Sequence, residues 1–284
     1  MPVTSMIRAS CILAILGLCV AALHAQEPER KGRLELCWGW NRSAYTRSDI
    51  RFHGRDHDFT LRRVLARDSP EPLGLDPYLN PVKLTIPQTN ASIAWFFHDR
   101  WSVAWRFDHM KYVLVQDQEV AIDGVIHTDV TGHAGTYAGE RVAITEDLLT
   151  YENSDGLNYI NLEIARHGRL AESRRHALAL DGTAALAVGA LVPRTAARLL
   201  GRPLNDRYHL SGAGASLKLG AAVVYRRTWT LRTEMLGGFI ALPDIRPSRD
   251  RNDRASHKFW FTQANVQFGA RIRLVKARVV PVTN

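Results

Sequence analysis

The chain alternates apolar and polar side chains with a period of two through most of its length. In residues 101–108, Trp101, Val103, Trp105 and Phe107 fall on one side, and Ser102, Ala104, Arg106 and Asp108 on the other. Successive side chains of a strand point to opposite faces, whereas a helix repeats every 3.6 residues, so the pattern predicts extended strands. Eight segments carry it: Arg33–Asn41, Lys83–Phe97, Trp101–Val115, Thr150–Arg166, Arg174–Val192, His209–Tyr225, Thr228–Leu242 and Lys258–Leu274. Each has one apolar face, for example Leu34, Leu36, Trp38 and Trp40 in the first and Val266, Phe268, Ile272 and Leu274 in the last. The expected fold class is all-β.

Alternation also occurs in soluble sandwiches, so the connections have to decide. Three are short: His98-Asp99-Arg100, His167–Ser173 and Arg226-Arg227. Four are long: Arg42–Val82, Gln116–Leu149, Pro193–Tyr208 and Pro243–His257. Tight turns at one end and long loops at the other describe an antiparallel up-and-down transmembrane β-barrel of about eight strands. An even count returns both termini to the periplasmic side. Most segments exceed the roughly 5–6 residues of ordinary strands and cover the about 9–11 that a tilted membrane strand needs. Trp95, Phe97, Trp101, Tyr225 and Trp229 gather at the short-turn ends, where an interfacial aromatic girdle belongs.

A barrel of this kind must be exported, and residues 1–25 have the parts of a secretory signal peptide. Arg8 supplies the positive charge, Cys11 to Leu23 is an uncharged apolar run, and Leu23-His24-Ala25 offers a cleavage site before Gln26. Leu18 before Cys19 is too large for a lipoprotein signal. Cleavage would leave residues 26–284 as one barrel domain. Cys37 would then be the one remaining cysteine, which excludes an internal disulfide and a cysteine zinc site. No run of 18 apolar residues follows the signal, which excludes a helical inner-membrane protein. The net charge of +9 would suggest nucleic acid in a cytosolic protein. Export makes membrane lipid or lipopolysaccharide phosphate the expected acidic neighbour instead.

The whole mature chain resembles the small eight-stranded outer-membrane barrels of the OmpA/OmpX/OmpW type. The segment Gln267-Phe268-Gly269-Ala270-Arg271-Ile272-Arg273-Leu274 is similar to the C-terminal signal by which such barrels are recognised for insertion. Aliphatic residues stand where aromatic ones are usual, and Val275–Asn284 follows as a tail. Residues 107–113 (Phe-Asp-His-Met-Lys-Tyr-Val) and 155–159 (Asp-Gly-Leu-Asn-Tyr) also resemble segments of such barrels, without implying a function. The resemblance implies outer-membrane lipids, lipopolysaccharide and the barrel-assembly machinery as partners, and a bacterial outer-membrane location.

With the apolar faces toward lipid, the other faces meet inside. They carry Gln88, Asn90, Ser92, Arg106, Asp108, Asn161, Glu163, Asp181, Lys218, Arg232, Glu234, Gln267 and Arg271. An eight-stranded barrel is just wide enough for side chains to fill, and buried charges must be paired. A connected, salt-bridged interior network is therefore expected; a proton relay or narrow solute channel is the alternative use of the same residues. In the loops, Arg47, Arg51, His53, Arg55, His57, Arg62, Arg63 and Arg67 crowd the first connection. Arg246, Arg249, Arg251 and Arg254 interleave with Asp244, Asp250 and Asp253 in the last. Guanidinium forks match phosphate oxygens, and a mixed solvated surface is the plain alternative. His127, Asp129 and His133 have a spacing compatible with a metal, but no metal and no cofactor is expected.

One enzymatic reading exists. Some barrels of this size are lipid A acyl-ester hydrolases with a His-x-Ser pattern on a strand, and residues 151–156 resemble that region. Parity puts Glu152, Ser154 and His109 on the outward face, a set that a nucleophile, base and orienting acid require. Glu152 occupies the position where that pattern has His. The expected function is a non-enzymatic envelope anchor or surface-binding barrel, with lipid A hydrolase and small-solute channel as alternatives. No nucleic acid partner is expected, and a monomer is favoured.

Overall fold

The computed structural model describes residues 29–72, 74–78, 87–175 and 177–273. The signal segment, residues 83–86 of the second segment and the tail from residue 274 lie outside the described residues.

Eight long strands form a closed antiparallel ring. In chain order they are β1 (Arg33–Tyr45), β5 (Thr89–His98), β6 (Trp101–Leu114), β9 (Leu149–Glu172), β10 (Leu178–Leu191), β13 (Gly212–Tyr225), β14 (Trp229–Ile245) and β15 (Arg254–Arg273). Each pairs with the next, and β1 pairs with β15 from Arg33↔Arg273 to Tyr45↔Phe261, which closes the barrel. Closure removes the free edges that an open sheet would expose.

The β13–β14 turn is tight. Arg226 and Arg227 both sit at positive φ (49° and 59°), and the Thr228 N–H donates to the Tyr225 carbonyl at 3.1 Å. This is the pattern of a type I′ hairpin turn, which matches the strand twist but normally uses Asn-Gly. The β9–β10 turn corrects the sequence reading. Its residues are Ser173–Ala177, not His167–Ser173, because β9 continues to Glu172. His167 and Arg169 look like turn residues, yet both are buried inside the barrel with polar partners.

A second difference concerns the long connections, which carry strands of their own. β2 (Ser48–His53), β3 (His57–Val64), β7 (Glu119–Ile126) and β8 (Gly135–Ala143) extend the sheet from β15. The short β4 (Ala66–Arg67) pairs with β6, and β11 (Arg194–Leu199) pairs with β9 and with β12 (Asn205–Tyr208). A short kinked segment, Leu75–Tyr78, with Asp76 in extended backbone (φ −106°, ψ 121°), lies between β4 and β5. The barrel therefore carries a folded β layer at its long-connection end.

The two faces divide as alternation requires. Trp95, Trp105, Leu162, Leu186, Leu217, Met235, Val266 and Phe268 are exposed on the outside. Such a set of large exposed apolar side chains around a ring is a lipid-facing belt. The inward face changes character along the barrel. Toward the short turns it is polar. Toward the long connections it is apolar, with Tyr112, Tyr151, Leu191, Ile240, Leu242, Phe259 and Phe261 in one buried cluster that also takes in Ile50, Phe59 and Ile122 of the β layer.

Candidate functional site

The polar half of the interior holds the inward residues named from the sequence except Gln88, whose amide donates to Asp68 of the first connection at 2.6 Å. All of Gln88, Asn90, Ser92, Arg106, Asp108, Asn161, Glu163, Asp181, Lys218, Arg232, Glu234, Gln267 and Arg271 are buried. Their ion pairs form a chain across the barrel. Glu234 is 2.9 Å from both Arg106 and Lys218, and Lys218 is 2.8 Å from Glu163. Arg106 lies 3.5 Å from Glu163 and 3.7 Å from Asp108. The Asp108 carboxylate accepts hydrogen bonds from Asn161 at 3.1 Å and Gln263 at 3.0 Å. Gln267 donates to Asn90 at 3.0 Å.

Arg232 bridges this cluster to the short-turn end. It sits 3.5 Å from Glu234 and 2.6 Å from Glu35. Glu35 in turn takes Arg271 at 3.1 Å, and Arg271 reaches Asp181 at 2.9 Å. Asp181 also binds Arg169 at 2.6 Å and Arg30 at 3.1 Å. Arg30 precedes β1 and closes the end of the barrel. The Asp99 carboxylate in the β5–β6 turn accepts the N–H groups of Arg30 and Lys31 at 2.7 and 2.8 Å, which fixes that segment there. Those N–H groups, Lys31 foremost, hold the Asp99 carboxyl below its ordinary value.

Sequence reasoning missed Glu35, Arg30, Arg169 and His167 as members of this interior. Glu35 had a readable signal, since it alternates with the outward Leu34 and Leu36. Arg169 and His167 were hidden by reading their segment as a turn. His167 lies between the Ser102 hydroxyl at 2.8 Å and the Thr183 hydroxyl at 3.1 Å.

Above the charges the filling is aromatic. The Tyr112 ring lies 5.0 Å from Tyr45 and 5.0 Å from Phe259, and Tyr159 packs at 6.3 Å on Phe261. The interior thus holds two stacked fillings of opposite character, with Asp108, Asn161 and Gln263 at the polar edge where they meet.

In the set Ser154, His109 and Glu152, the histidine is bonded elsewhere. His109 Nδ1 is 2.9 Å from the Asn158 amide oxygen. No hydrogen bond among the described residues joins Ser154 to His109 or to Glu152. Gly156, at φ +121°, lies against the His109 ring, where a Cβ would come within 2.7 Å of it. Of the loop histidines, His133 is 2.8 Å from Asp147, and no group of three metal-ligating residues converges among the described residues.

Three of the basic residues named in the first connection, Arg51, His57 and Arg62, have ion pairs among the described residues. Arg51 pairs with Asp58 at 2.8 Å, and Arg62 with Asp49 at 3.1 Å and Asp123 at 2.6 Å. Arg202, from the β11–β12 hairpin, binds Asp56 at 2.5 Å and Asp253 at 3.4 Å. Asp56 is also 3.0 Å from His57. This clasp ties three connections together. Burial pushes the Asp56 carboxyl up, but the His57 and Arg202 hydrogen bonds outweigh it and leave the group below its ordinary value.

A closed antiparallel ring with an apolar outer belt, a charged filling and tight turns at one end defines a transmembrane β-barrel of the outer-membrane type. No protein-family model matches the chain, and no curated protein does. Among solved structures it is similar to small outer-membrane barrels, the class that the sequence resemblance names. The outer membrane protein OprG from Pseudomonas aeruginosa aligns over 88% of this chain and 100% of its own, at 9% identity and a TM-score of 0.39. The outer membrane protein AlkL, solved in lipid bilayers, aligns over 89% and 96%, at 7% identity and 0.40. The attachment invasion locus protein Ail of Yersinia pestis aligns over 84% and 99%, at 11% identity and 0.28. Likeness at these scores carries no argument about activity or ligand.

Proposed function

We propose that this chain is a sealed outer-membrane anchor that presents its β layer at the bacterial surface as a binding module. The observation that carries this reading is the ion-paired interior of the barrel beneath a buried aromatic cluster. A conducting pore needs a hydrated path, and here Asp181, Glu35, Glu234 and Asp108 are each saturated by cations or amides, with an aromatic layer above them. Buried charges held this way are structural, since each would be costly without its partner. The short turns then face the periplasm and the β layer faces outward. Outer-membrane lipids and lipopolysaccharide are its surroundings, and the barrel-assembly machinery inserts it.

The test is a comparison of two activities on one refolded sample. Planar-bilayer recordings are expected to show no steady conductance, and lipid A incubated with the protein is expected to keep its acyl chains. A large stable conductance would replace the anchor with a solute channel. Released fatty acid that depends on Ser154 would replace it with a hydrolase.

A further inference from the structure

The β12 strand and the β14–β15 connection enclose a cleft of about 450 Å³ at the long-connection end. Its walls are fixed. The Asn205 amide donates to the Arg246 carbonyl at 2.8 Å, and Arg249 Nε donates to the Leu204 carbonyl at 3.0 Å. Below them Ser248 and Asp253 are buried and bonded to each other at 2.5 Å.

Five guanidinium groups line this space: Arg207, Arg246, Arg249, Arg251 and Arg254. The acids present do not neutralise them. Asp244 is already shared by His209 at 2.9 Å and Arg254 at 2.9 Å, with Arg246 at 3.7 Å. The Asp250 carboxylate accepts the Asn252 N–H at 2.9 Å and its amide at 2.7 Å. Nearby Asp206 pairs with Arg194 at 2.7 Å. Arg207, Arg249 and Arg251 are exposed and have no ion pair among the described residues. Exposed Arg51 and Arg62 of the β layer find carboxylates, whereas exposed Arg47, Arg55, Arg63 and Arg67 have no ion pair among the described residues, so it is the concave lining that sets the cleft apart. Unpaired guanidinium forks lining one concave site are complementary to phosphate oxygens, which accept bidentate pairs from several directions at once. The one aromatic wall, Tyr208, is 61% exposed and offers a face to a ring.

We propose that this cleft binds a sugar or polyol ring that carries several phosphate groups. This rests on the reading of the β layer as a surface-binding module, and it names the ligand chemistry and the residues. A single phosphate would engage one or two forks. Several phosphates on one ring would engage all of Arg207, Arg249 and Arg251 while Tyr208 covers the ring. The phosphorylated ring can be free in solution or belong to a lipid-anchored headgroup.

The experiment uses the full mature chain refolded in phosphatidylcholine vesicles. Inositol hexakisphosphate is titrated in by calorimetry, with inorganic phosphate in parallel. Saturable binding is expected, at least about tenfold tighter than inorganic phosphate and weakening as salt rises. The pair Arg249→Gln with Arg251→Gln is expected to weaken it by at least about tenfold. The pair Arg51→Gln with Arg141→Gln removes the same charge from other parts of the β layer and is expected to leave it unchanged. Vesicles containing lipopolysaccharide, added as competitor, assign the source: displacement points to a lipid headgroup and no displacement to a free ligand, and both keep the proposed chemistry. Equal loss in the two double variants would overturn it, because binding would then follow net charge alone. Absence of any saturable binding would also overturn it. Heat-dependent gel mobility and vesicle flotation on the same samples keep the two readings apart. A protein that inserts and folds but binds nothing removes the cleft proposal alone, whereas one that never associates with vesicles removes the anchor.

Discussion

Lys218 shows how an inward charge works in this barrel. Its ammonium sits between Glu163 at 2.8 Å and Glu234 at 2.9 Å, in a position 2% exposed. Lys218→Met keeps the volume and removes the cation, so Glu163 and Glu234 are left with Arg106, and Glu234 also with Arg232 at 3.5 Å. Breaking a buried pair this way costs about 3–5 kcal/mol, and urea unfolding in vesicles is expected to show it. Lys218→Met combined with Glu234→Gln is expected to cost less than the sum of the two single changes, because direct partners are coupled. Additive costs would show that the two groups do not interact. These residues were legible from parity alone: Lys218 alternates with Leu217 and Leu219, and Glu234 with Thr233 and Met235, so one face assignment places both. Their partners were not legible. Glu35 and Arg232 are 197 positions apart, and their 2.6 Å contact depends on strand stagger that no local pattern encodes.

At the level of the strand and turn, the lipid face and the β13–β14 hairpin make separate demands. Val266 is 44% exposed on the belt between Asn265 and Gln267, both buried. Val266→Arg is expected to destabilise folding in vesicles by roughly 2–4 kcal/mol at the midplane, and equal tolerance of Arg at an inward neighbour would remove the face assignment. In the hairpin, two arginines occupy left-handed backbone that costs L-residues about 1–2 kcal/mol each. Replacing Arg226-Arg227 by Asn-Gly is expected to raise the urea midpoint, while keeping the Arg227 carbonyl that Arg33 binds at 3.1 Å. The sequence marked this turn correctly because apolar alternation stops on both sides of it. It misplaced the β9–β10 turn because β9 continues through polar inward residues, His167 and Arg169, where a soluble strand would have ended. The β layer was missed for a similar reason. Its strands, four residues in β12, six in β2 and eight in β3, carry arginine, aspartate and histidine that read as loop charges. The clasp on this layer has its own pH response. A carboxyl whose folded pKa lies below its unfolded value contributes stability that is present above about pH 4 and lost as pH falls through the folded value. Asp56 is such a group. Protease sensitivity of the β2–β3 and β11–β12 hairpins is therefore expected to rise on acidification below about pH 4, and Asp56→Asn is expected to raise it already at neutral pH. A flat pH profile would show that the clasp does not hold the layer.

The whole molecule is built from two fillings whose failure modes differ. The charged filling lies behind the apolar belt, whose residues alternate with its own along each strand. The aromatic filling joins the β layer, whose outside is wet and whose core is an ordinary apolar one. Phe259 belongs to the second: it is 2% exposed and packs on Tyr112, Tyr45 and His257 at 5.0, 5.6 and 5.0 Å. Phe259→Ala is expected to cost about 3–5 kcal/mol through the cavity it leaves. That loss falls on the β layer, so faster proteolysis of the surface connections is expected while heat-dependent gel mobility of the barrel persists. Planar-bilayer current is expected to stay at baseline, because Arg106, Lys218 and Glu234 still block the path beneath. Lys218→Met alone is likewise expected to leave current at baseline, since the aromatic layer above remains. Only the two changes together remove a part of each filling, and only that double variant is expected to give measurable openings. A steady current from Phe259→Ala alone would mean that the charged filling is hydrated and passable, and the polar interior would then be a pathway that the aromatic layer gates.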